Sequence, residues 1–170
     1  MTIQLPGPGV YRIDPTGSRI AVRAKHRFGT GTVRGTFELT GGEIAVAVPH
    51  EGSTVRADAS AASFESGSSA RDRNVRSRRF LDAEAHPAIS FTSTAFDQVD
   101  GVWHLRGTLT ARGVTAAADF AVESLELGAT DLLVSATARV DRYAHGITAA
   151  KGMAGRHLEL TVTARATRQA

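Results

Sequence analysis

The fold of this chain is decided by residues 88–123, which read AISFTSTAFDQVDGVWHLRGTLTARGVTAAADFAVE. Apolar and polar side chains alternate through this stretch, as they do in β-strands that bury one face. The alternation is interrupted by two turn signals, Asp100-Gly101 and Arg112-Gly113. Asp-Gly between alternating segments is a strong hairpin signal. The stretch therefore predicts three antiparallel strands joined by two tight turns.

The same alternation recurs over most of the chain. It is visible in four segments before this stretch and in two after it, at residues 18–26, 32–40, 44–48, 55–59, 132–140 and 158–166. Together these segments indicate about eight or nine strands with short connections. A sandwich or a barrel would fit this pattern, and we predict an all-β fold, an antiparallel eight-stranded barrel, because many inward candidates are Ala or Gly rather than the Leu, Ile and Phe of a solid sandwich core. At 170 residues the chain fits a single domain, 1–170, with its core at about 11–167.

One stretch breaks the alternation. Between Ser60 and Pro87 no period of two is sustained, and we predict a helical or irregular insertion around residues 60–87. Ser69 is a candidate helix N-cap, and Pro87 marks the end of the insertion. An open barrel end needs a cover, and this insertion is the segment available to provide it.

The inward positions of the predicted strands include many small residues: Ala24, Gly35, Ala57, Gly107, Ala118 and Ala138. Small inward side chains leave volume, and an eight-stranded barrel is wide enough to hold one small ligand. The alternative is that these residues pack a small, tight core. Composition alone leaves both interpretations open.

Composition excludes several kinds of site. The chain has no cysteine, which excludes disulfides, thiolate nucleophiles, iron–sulfur clusters and cysteine zinc sites. The six histidines show no metal-ligand spacing, and no serine-nucleophile motif is present. We therefore expect no metal, no cofactor and no enzyme activity. The sequence also shows no membrane-spanning segment and no secretory signal, so we expect a cytoplasmic protein.

The charge is modestly basic, with a formal net charge of +3. Most arginines are scattered singly. The exception is a cluster at residues 71–79, which lies among Asp72, Asp82 and Glu84. Nucleic-acid binding requires cations concentrated on one face. We therefore interpret the cluster as a solvated basic patch and expect no nucleic-acid partner.

Four blocks of the sequence match a known pattern. They read YRIDPTGSRIAVRAKH from Tyr11, TVRGTF from Thr32, RDRNVRSRRFLDAEAHPAISFTS from Arg71 and LTARGVT from Leu109. With these blocks, the chain from about Tyr11 to Ala166 resembles the YceI-like family of polyisoprenoid-binding, lipocalin-like barrels, in its actinobacterial, cytoplasmic type. The resemblance implies a carrier of a long isoprenoid lipid, such as an isoprenoid quinone or a polyprenyl compound, with its tail inside the barrel and no enzyme activity.

From this resemblance we predict which side chains meet the lipid. The residues expected to line the cavity and contact the isoprenoid tail are Val22, Phe37, Phe80, Leu81, Ile89, Phe91, Leu105, Leu109, Phe120 and Val134. The polar residues expected near the mouth, as partners of a lipid head group, are Arg71, Arg142, His145 and Lys151.

The sequence is also compatible with two other hypotheses. The first is a small-molecule enzyme that uses His26 or His145 as acid or base, which requires two such groups to converge on one cavity. The second is a filled barrel whose basic cluster at residues 71–79 docks an acidic partner or nucleic acid. A homodimer is compatible with any of these hypotheses.

Overall fold

The computed structural model of the protein describes residues 3–26 and 29–170. It contains nine strand segments, namely β1 (Gly9–His26), β2 (Gly31–Phe37), β3 (Leu39–Val46), β4 (Thr54–Ser60), β5 (Ala88–Val99), β6 (Val102–Ala111), β7 (Val114–Leu127), β8 (Asp131–Asp141) and β9 (Ala154–Arg168). One α-helix, α1 (Ser69–Arg76), and three short 3-10 turns (His50–Gly52, Ala61–Ser63 and Arg142–His145) complete the described elements. None of the described helices is long and apolar enough to cross a membrane.

The nine segments form an eight-stranded closed barrel. Every pairing is antiparallel, and the sheet closes because β1 also pairs with β9. Segments β2 and β3 are separated only by Glu38 and share one place beside β1: β2 pairs with its second half and β3 with its first. The predicted all-β, eight-stranded antiparallel barrel is therefore confirmed.

Strand β1 bends where its two halves meet. Its register against β9 shifts between Asp14 and Arg19, which marks a bulge. Side-chain hydrogen bonds hold this bulge: the Asp14 carboxylate accepts from the Thr16 amide at 3.0 Å and from its hydroxyl at 2.8 Å, while the Ser18 hydroxyl donates to the Asp14 carbonyl at 2.7 Å. The bend lets one strand border both β3 and β2.

Both predicted turns are confirmed. Asp100 and Gly101 have φ values of 51° and 81°, and Arg112 and Gly113 have values of 52° and 72°. Two consecutive positive φ values are typical of the type I′ turn, whose twist matches that of the flanking strands. The turns connect β5 to β6 and β6 to β7.

The insertion is part helix and part turn. Helix α1 spans eight residues, and its N-cap is Ser68, whose hydroxyl accepts from the Arg71 amide at 3.3 Å. The expectation of Ser69 as the cap is therefore wrong by one residue, because Ser69 already has helical geometry. After the helix, turns lead to a buried cluster over one end of the barrel, made of Ala61, Phe80, Leu81, Ala83 and Ile147. We call this cluster the cap, and the barrel end beneath it the capped end.

Two of the inward glycines, Gly35 and Gly107, lie so close to neighbouring atoms that no larger side chain fits. These positions therefore add no free volume to the barrel interior. A Cβ at Gly107 would lie 2.2 Å from the Thr92 carbonyl oxygen and 2.8 Å from the Phe91 ring, and one at Gly35 would lie 2.6 Å from the Phe64 ring. Aromatic rings therefore occupy the space that these glycines leave.

We expect Gly107→Ala to lower the free energy of unfolding by about 2–3 kcal/mol, because the added methyl group must displace a strand backbone. Urea unfolding measures the effect. The matched control is Gly41→Ala, since a Cβ at Gly41 meets nothing within 4 Å. Equal losses in the two variants would contradict the packing argument.

Candidate functional site

An apolar cavity of about 250 Å³ lies inside the barrel. All nine strand segments contribute to its wall. At one end the wall includes Leu81 and Ile147 of the cap, and at the other it includes Pro6 and His50, near the start of β1. The exposed wall is almost wholly hydrocarbon. Such a cavity suits an apolar chain and offers almost nothing to a charged or strongly polar ligand.

Aromatic pairs shape the interior. The Phe91 and Phe120 rings meet edge to face with centroids 5.2 Å apart, and both line the cavity. Toward the end opposite the cap, the Phe96 ring lines the cavity and stacks on Trp103 at 4.6 Å. These contacts fix the rings in preferred geometries, so the wall is preformed.

Eight of the ten residues predicted to contact the tail lie on this wall: Phe37, Leu81, Ile89, Phe91, Leu105, Leu109, Phe120 and Val134. The other two, Val22 and Phe80, do not. Val22 is buried beside Gly35 and borders a separate depression that also includes Arg19 and Arg34. Phe80 packs inside the cap, with the Arg142 guanidinium 5.6 Å from its ring centroid.

The wall also contains many residues that were not predicted from the sequence, among them Ile20, Val55, Val122, Leu132, Ala136, Leu158 and Leu160. Several of them follow from the period of two. Val122 is two residues from Phe120, and Leu132 and Ala136 flank Val134 at the same spacing, so each shares a face with a predicted residue. Leu5 and Pro6 carried no such signal, because they precede the first strand.

The small inward residues do not create the cavity in the way that composition suggested. Of the six positions, only Ala57 lies on the wall. Ala118 and Ala138 are buried in a cluster with Phe91 and Phe120. The cavity exists because Leu, Ile, Val and Phe side chains line a closed barrel without meeting at its axis.

The four predicted head-group residues fall into two pairs. Arg142 and His145 are buried and lie on the wall at the capped end, whereas Arg71 and Lys151 are not part of the wall. Arg71 donates to the Ser66 hydroxyl at 3.4 Å. Lys151 is exposed, with its ammonium 5.2 Å from the Tyr143 ring centroid.

Arg142 is a buried cation that is held by backbone. Its guanidinium donates to three carbonyls, those of Gly155 at 2.8 Å, Ile147 at 2.9 Å and Ala154 at 2.9 Å. It has no ion pair with a carboxylate of the described residues, and burial lowers its pKa below the ordinary value. These hydrogen bonds tie the segment after β8 to the start of β9, so Arg142 helps to close the capped end.

The histidines of the wall are far apart along the barrel. His145 has its Nε2 atom 2.9 Å from the Leu109 carbonyl, which can only accept, so Nε2 carries the proton. His50 lies at the opposite end, and His26 is not part of the wall. Two acid–base groups therefore do not converge as the enzyme hypothesis requires. No cluster of potential metal ligands occurs within residues 3–26 and 29–170.

A short segment crosses the barrel end opposite the cap. Residues 6–8 precede β1, and their three carbonyls accept from three side chains: Pro6 from His50 at 2.9 Å, Gly7 from the Tyr11 hydroxyl at 3.2 Å, and Pro8 from Arg168 at 2.7 Å. Prolines lack the N–H that a sheet ladder needs. Side chains therefore hold this segment, which we call the N-terminal strap.

Asp141 begins the turn that carries Arg142. Its carboxylate accepts from the Arg156 guanidinium at 3.0 and 2.9 Å, and from the Tyr143 amide at 3.0 Å. The hydrogen bond from Arg156, followed by that from the Tyr143 amide, lowers the pKa of Asp141 from 3.8 to about 2. The folded protein therefore favours the ionised carboxylate.

This lowered pKa predicts an acid-sensitive contribution to stability. Because the folded value lies below the unfolded one, the contribution is complete above about pH 4 and is lost as the pH falls through about 2. We expect the stability difference between wild type and Asp141→Asn to shrink over that interval in urea unfolding. The Asp100→Asn variant, at an exposed turn, controls for general acid effects. A stability difference that does not change with pH would contradict the lowered pKa of Asp141.

The barrel residues match a known protein family. The sequence model of the YceI-like domain family matches residues 11–166 of this chain. The chain belongs to the YceI-like family. The matched residues run from β1 through β9, so they include nearly the whole barrel of this YceI-like chain.

Relatives of this YceI-like chain are moderately similar in sequence. A UPF0312 protein of Vibrio vulnificus is 30% identical over 121 residues, which are 69% of this chain and 64% of that protein. A UPF0312 protein of Azotobacter vinelandii is 32% identical over 108 residues, 62% of this chain and 56% of that protein. The chain thus spans less than two thirds of the length of these relatives.

Solved structures share the YceI-like fold at low sequence identity. BcnA of Burkholderia cenocepacia superposes with a TM-score of 0.79 at 16% identity, covering 91% of this chain and 99% of that one. A polyisoprenoid binding domain from Saccharophagus degradans, implicated in plant cell wall breakdown, has a TM-score of 0.71 at 14% identity, covering 96% of this chain and 100% of that one. At these identities the likeness shows the fold.

Proposed function

We propose that this chain binds a long-chain isoprenoid lipid, an isoprenoid quinone or a polyprenyl compound, with its tail in the barrel cavity. The observation that carries the proposal is the almost wholly hydrocarbon wall that extends from the cap to Pro6 and His50. The polyisoprenoid binding domain of Saccharophagus degradans, which has the same fold, supports the choice of lipid.

The expected energetics agree with this ligand. Each buried CH₂ contributes about 0.8 kcal/mol, so each isoprene unit contributes roughly 3–4 kcal/mol before the cost of ordering the tail. We propose that the tail contacts the eight predicted wall residues. The guanidinium of Arg142 and the Nε2 of His145 are bound to backbone carbonyls, so we propose that the polar head lies outside the hydrocarbon wall.

We propose a role in carriage, storage or sensing of the lipid, without catalysis and in the cytoplasm. The separation of His145 from His50 along the barrel supports a binding role over an enzymatic one. The actinobacterial type of the family stays a prediction from the resemblance.

Solvent extraction of the purified protein, followed by mass spectrometry, tests the proposal. We expect a prenylated lipid in the extract, or saturable uptake of added polyprenyl lipid by protein purified empty. A saturated fatty acid serves as the comparison ligand and is expected to bind more weakly. A protein that is empty and also fails to bind added polyprenyl lipids would falsify the proposal.

A further inference from the structure

The net charge of the chain is concentrated at the capped end. The segments that form this end are 61–87, 112–113 and 141–156, and together they contain nine basic and five acidic residues. Their surplus of four positive charges exceeds the net charge of +3 of the whole chain. The rest of the molecule is therefore close to neutral, and the protein is electrically asymmetric along the barrel axis.

Contacts within the protein engage charges of both signs at this end. Among the acidic residues of the capped end, Asp72 is buried and accepts from the Ser66 amide at 3.0 Å and hydroxyl at 2.6 Å, and Asp141 is bound to Arg156. The exposed cations Arg73, Arg78, Arg79 and Lys151 form no ion pair within the described part of the chain. Four cations of this end therefore face solvent without an ion pair to a described residue, beside the exposed carboxylates Glu65 and Glu84.

Exposed apolar side chains lie at the same end. Met153 is 50% exposed, and Val114 is 39% exposed. The Arg112 guanidinium donates to the Arg78 carbonyl and, at 2.7 Å, to the Phe80 carbonyl, which holds the β6–β7 turn against the arginine-rich loop. Arg78 and Arg79 directly precede Phe80 of the cap, and Lys151 and Met153 lie between Ala150 and Ala154, which pack against the same cluster, so basic and apolar side chains lie over one end. We define this basic surface as Arg73, Arg78, Arg79, Lys151 and Met153.

We propose that the basic surface docks on an anionic lipid bilayer. Basic side chains around an exposed apolar residue provide the two attractions that peripheral membrane proteins use, electrostatic attraction to anionic head groups and burial of apolar area in the interface. A nucleic acid would engage the cations but would leave Met153 exposed. Docking also places the cap next to the apolar lipids of the membrane, from which the barrel would take up its ligand. This uptake rests on the proposed function.

Vesicle co-sedimentation tests the proposal. We expect the protein to bind vesicles of phosphatidylcholine with about 30% phosphatidylglycerol, to bind pure phosphatidylcholine weakly, and to lose binding as NaCl rises from about 0.05 to 0.5 M. The variant Arg73→Glu/Arg78→Glu/Lys151→Glu is expected to bind anionic vesicles roughly tenfold more weakly or worse. Met153→Ser is expected to weaken binding to anionic vesicles several-fold at about 0.05 M NaCl, because it removes apolar burial and leaves the charge of the surface unchanged.

A charge-matched variant distinguishes the effect of the basic surface from the effect of the protein's total charge. Arg12→Glu/Arg19→Glu/Arg34→Glu removes the same charge from exposed arginines on the side of the barrel. We expect it to retain vesicle binding within about threefold, since none of these residues belongs to the basic surface. Equal losses in both triple variants, equal binding to neutral vesicles, or binding to duplex DNA with none to vesicles would overturn the proposal. Vesicle binding is measured on protein stripped of lipid, so failure to find a bound isoprenoid leaves this result unaffected.

Discussion

Ala136→Phe is expected to remove most lipid binding while the barrel stays folded. Ala136 lies on the cavity wall in β8, paired with Val122 and Val162, which also line the cavity. A phenyl ring at this position projects into a cavity of only about 250 Å³. If the ring displaces three or four carbons of the tail, the lost burial is about 2.4–3.2 kcal/mol, which weakens binding roughly hundredfold.

The matched control for this variant is Ala117→Phe, which adds the same ring to the exposed face of β7. We expect it to bind polyprenyl lipid like the wild type. Titration of empty protein with a fluorescent prenyl analogue measures both affinities, and thermal unfolding confirms that both variants are folded. If Ala136→Phe binds as tightly as Ala117→Phe, the tail does not occupy the barrel.

Arg142→Met is expected to lower the free energy of unfolding by about 3–5 kcal/mol. The methionine retains an apolar stem of similar reach but donates no hydrogen bond. The carbonyls of Ile147, Ala154 and Gly155 then lose their side-chain donor, and a buried carbonyl without a partner costs about 1–3 kcal/mol. We also expect faster amide hydrogen exchange in residues 146–155, because Arg142 is the side chain that ties this segment to the barrel.

Arg156→Met provides the comparison for this variant. Arg156 forms an ion pair with Asp141, but its side chain is 54% exposed, and exposed ion pairs contribute at most about 1 kcal/mol. Urea unfolding of the two variants therefore compares the contribution of a buried cation to the free energy of unfolding with that of an exposed one. Similar losses would show that Arg142 contributes only a surface interaction.

The sequence was sufficient to predict those elements that depend on local rules. Asp100-Gly101 predicted a hairpin because its conformation is set by two residues, and alternation predicted the strands because one face of each is buried. The split of one barrel position into β2 and β3 was not predicted. It depends on the bulge at Asp14–Ser18 and on which strand borders each half of β1, and these are properties of the closed barrel.

The interior shows a similar limit. Seven of the eight predicted wall residues follow strand alternation, but alternation could not distinguish Leu81, which reaches the wall, from its neighbour Phe80, which packs inside the cap. Gly107 suggested free volume, yet the Phe91 ring from a neighbouring strand fills that space. The role of Arg142 was not predicted either. Its three acceptors are backbone carbonyls, and every residue has one, so the residue types in a sequence do not identify them.

The N-terminal strap and the cap have a kinetic consequence. Both lie outside the sheet: hydrogen bonds from three side chains hold the strap, and the cap is held by its apolar cluster and by hydrogen bonds from Arg112 and Arg142. The barrel strands, by contrast, are cross-linked all the way around by backbone hydrogen bonds. A tail bound inside would therefore leave at a rate set by how often a loop lifts from one end. Residence time and equilibrium affinity would then be controlled by different residues, and each could change without the other.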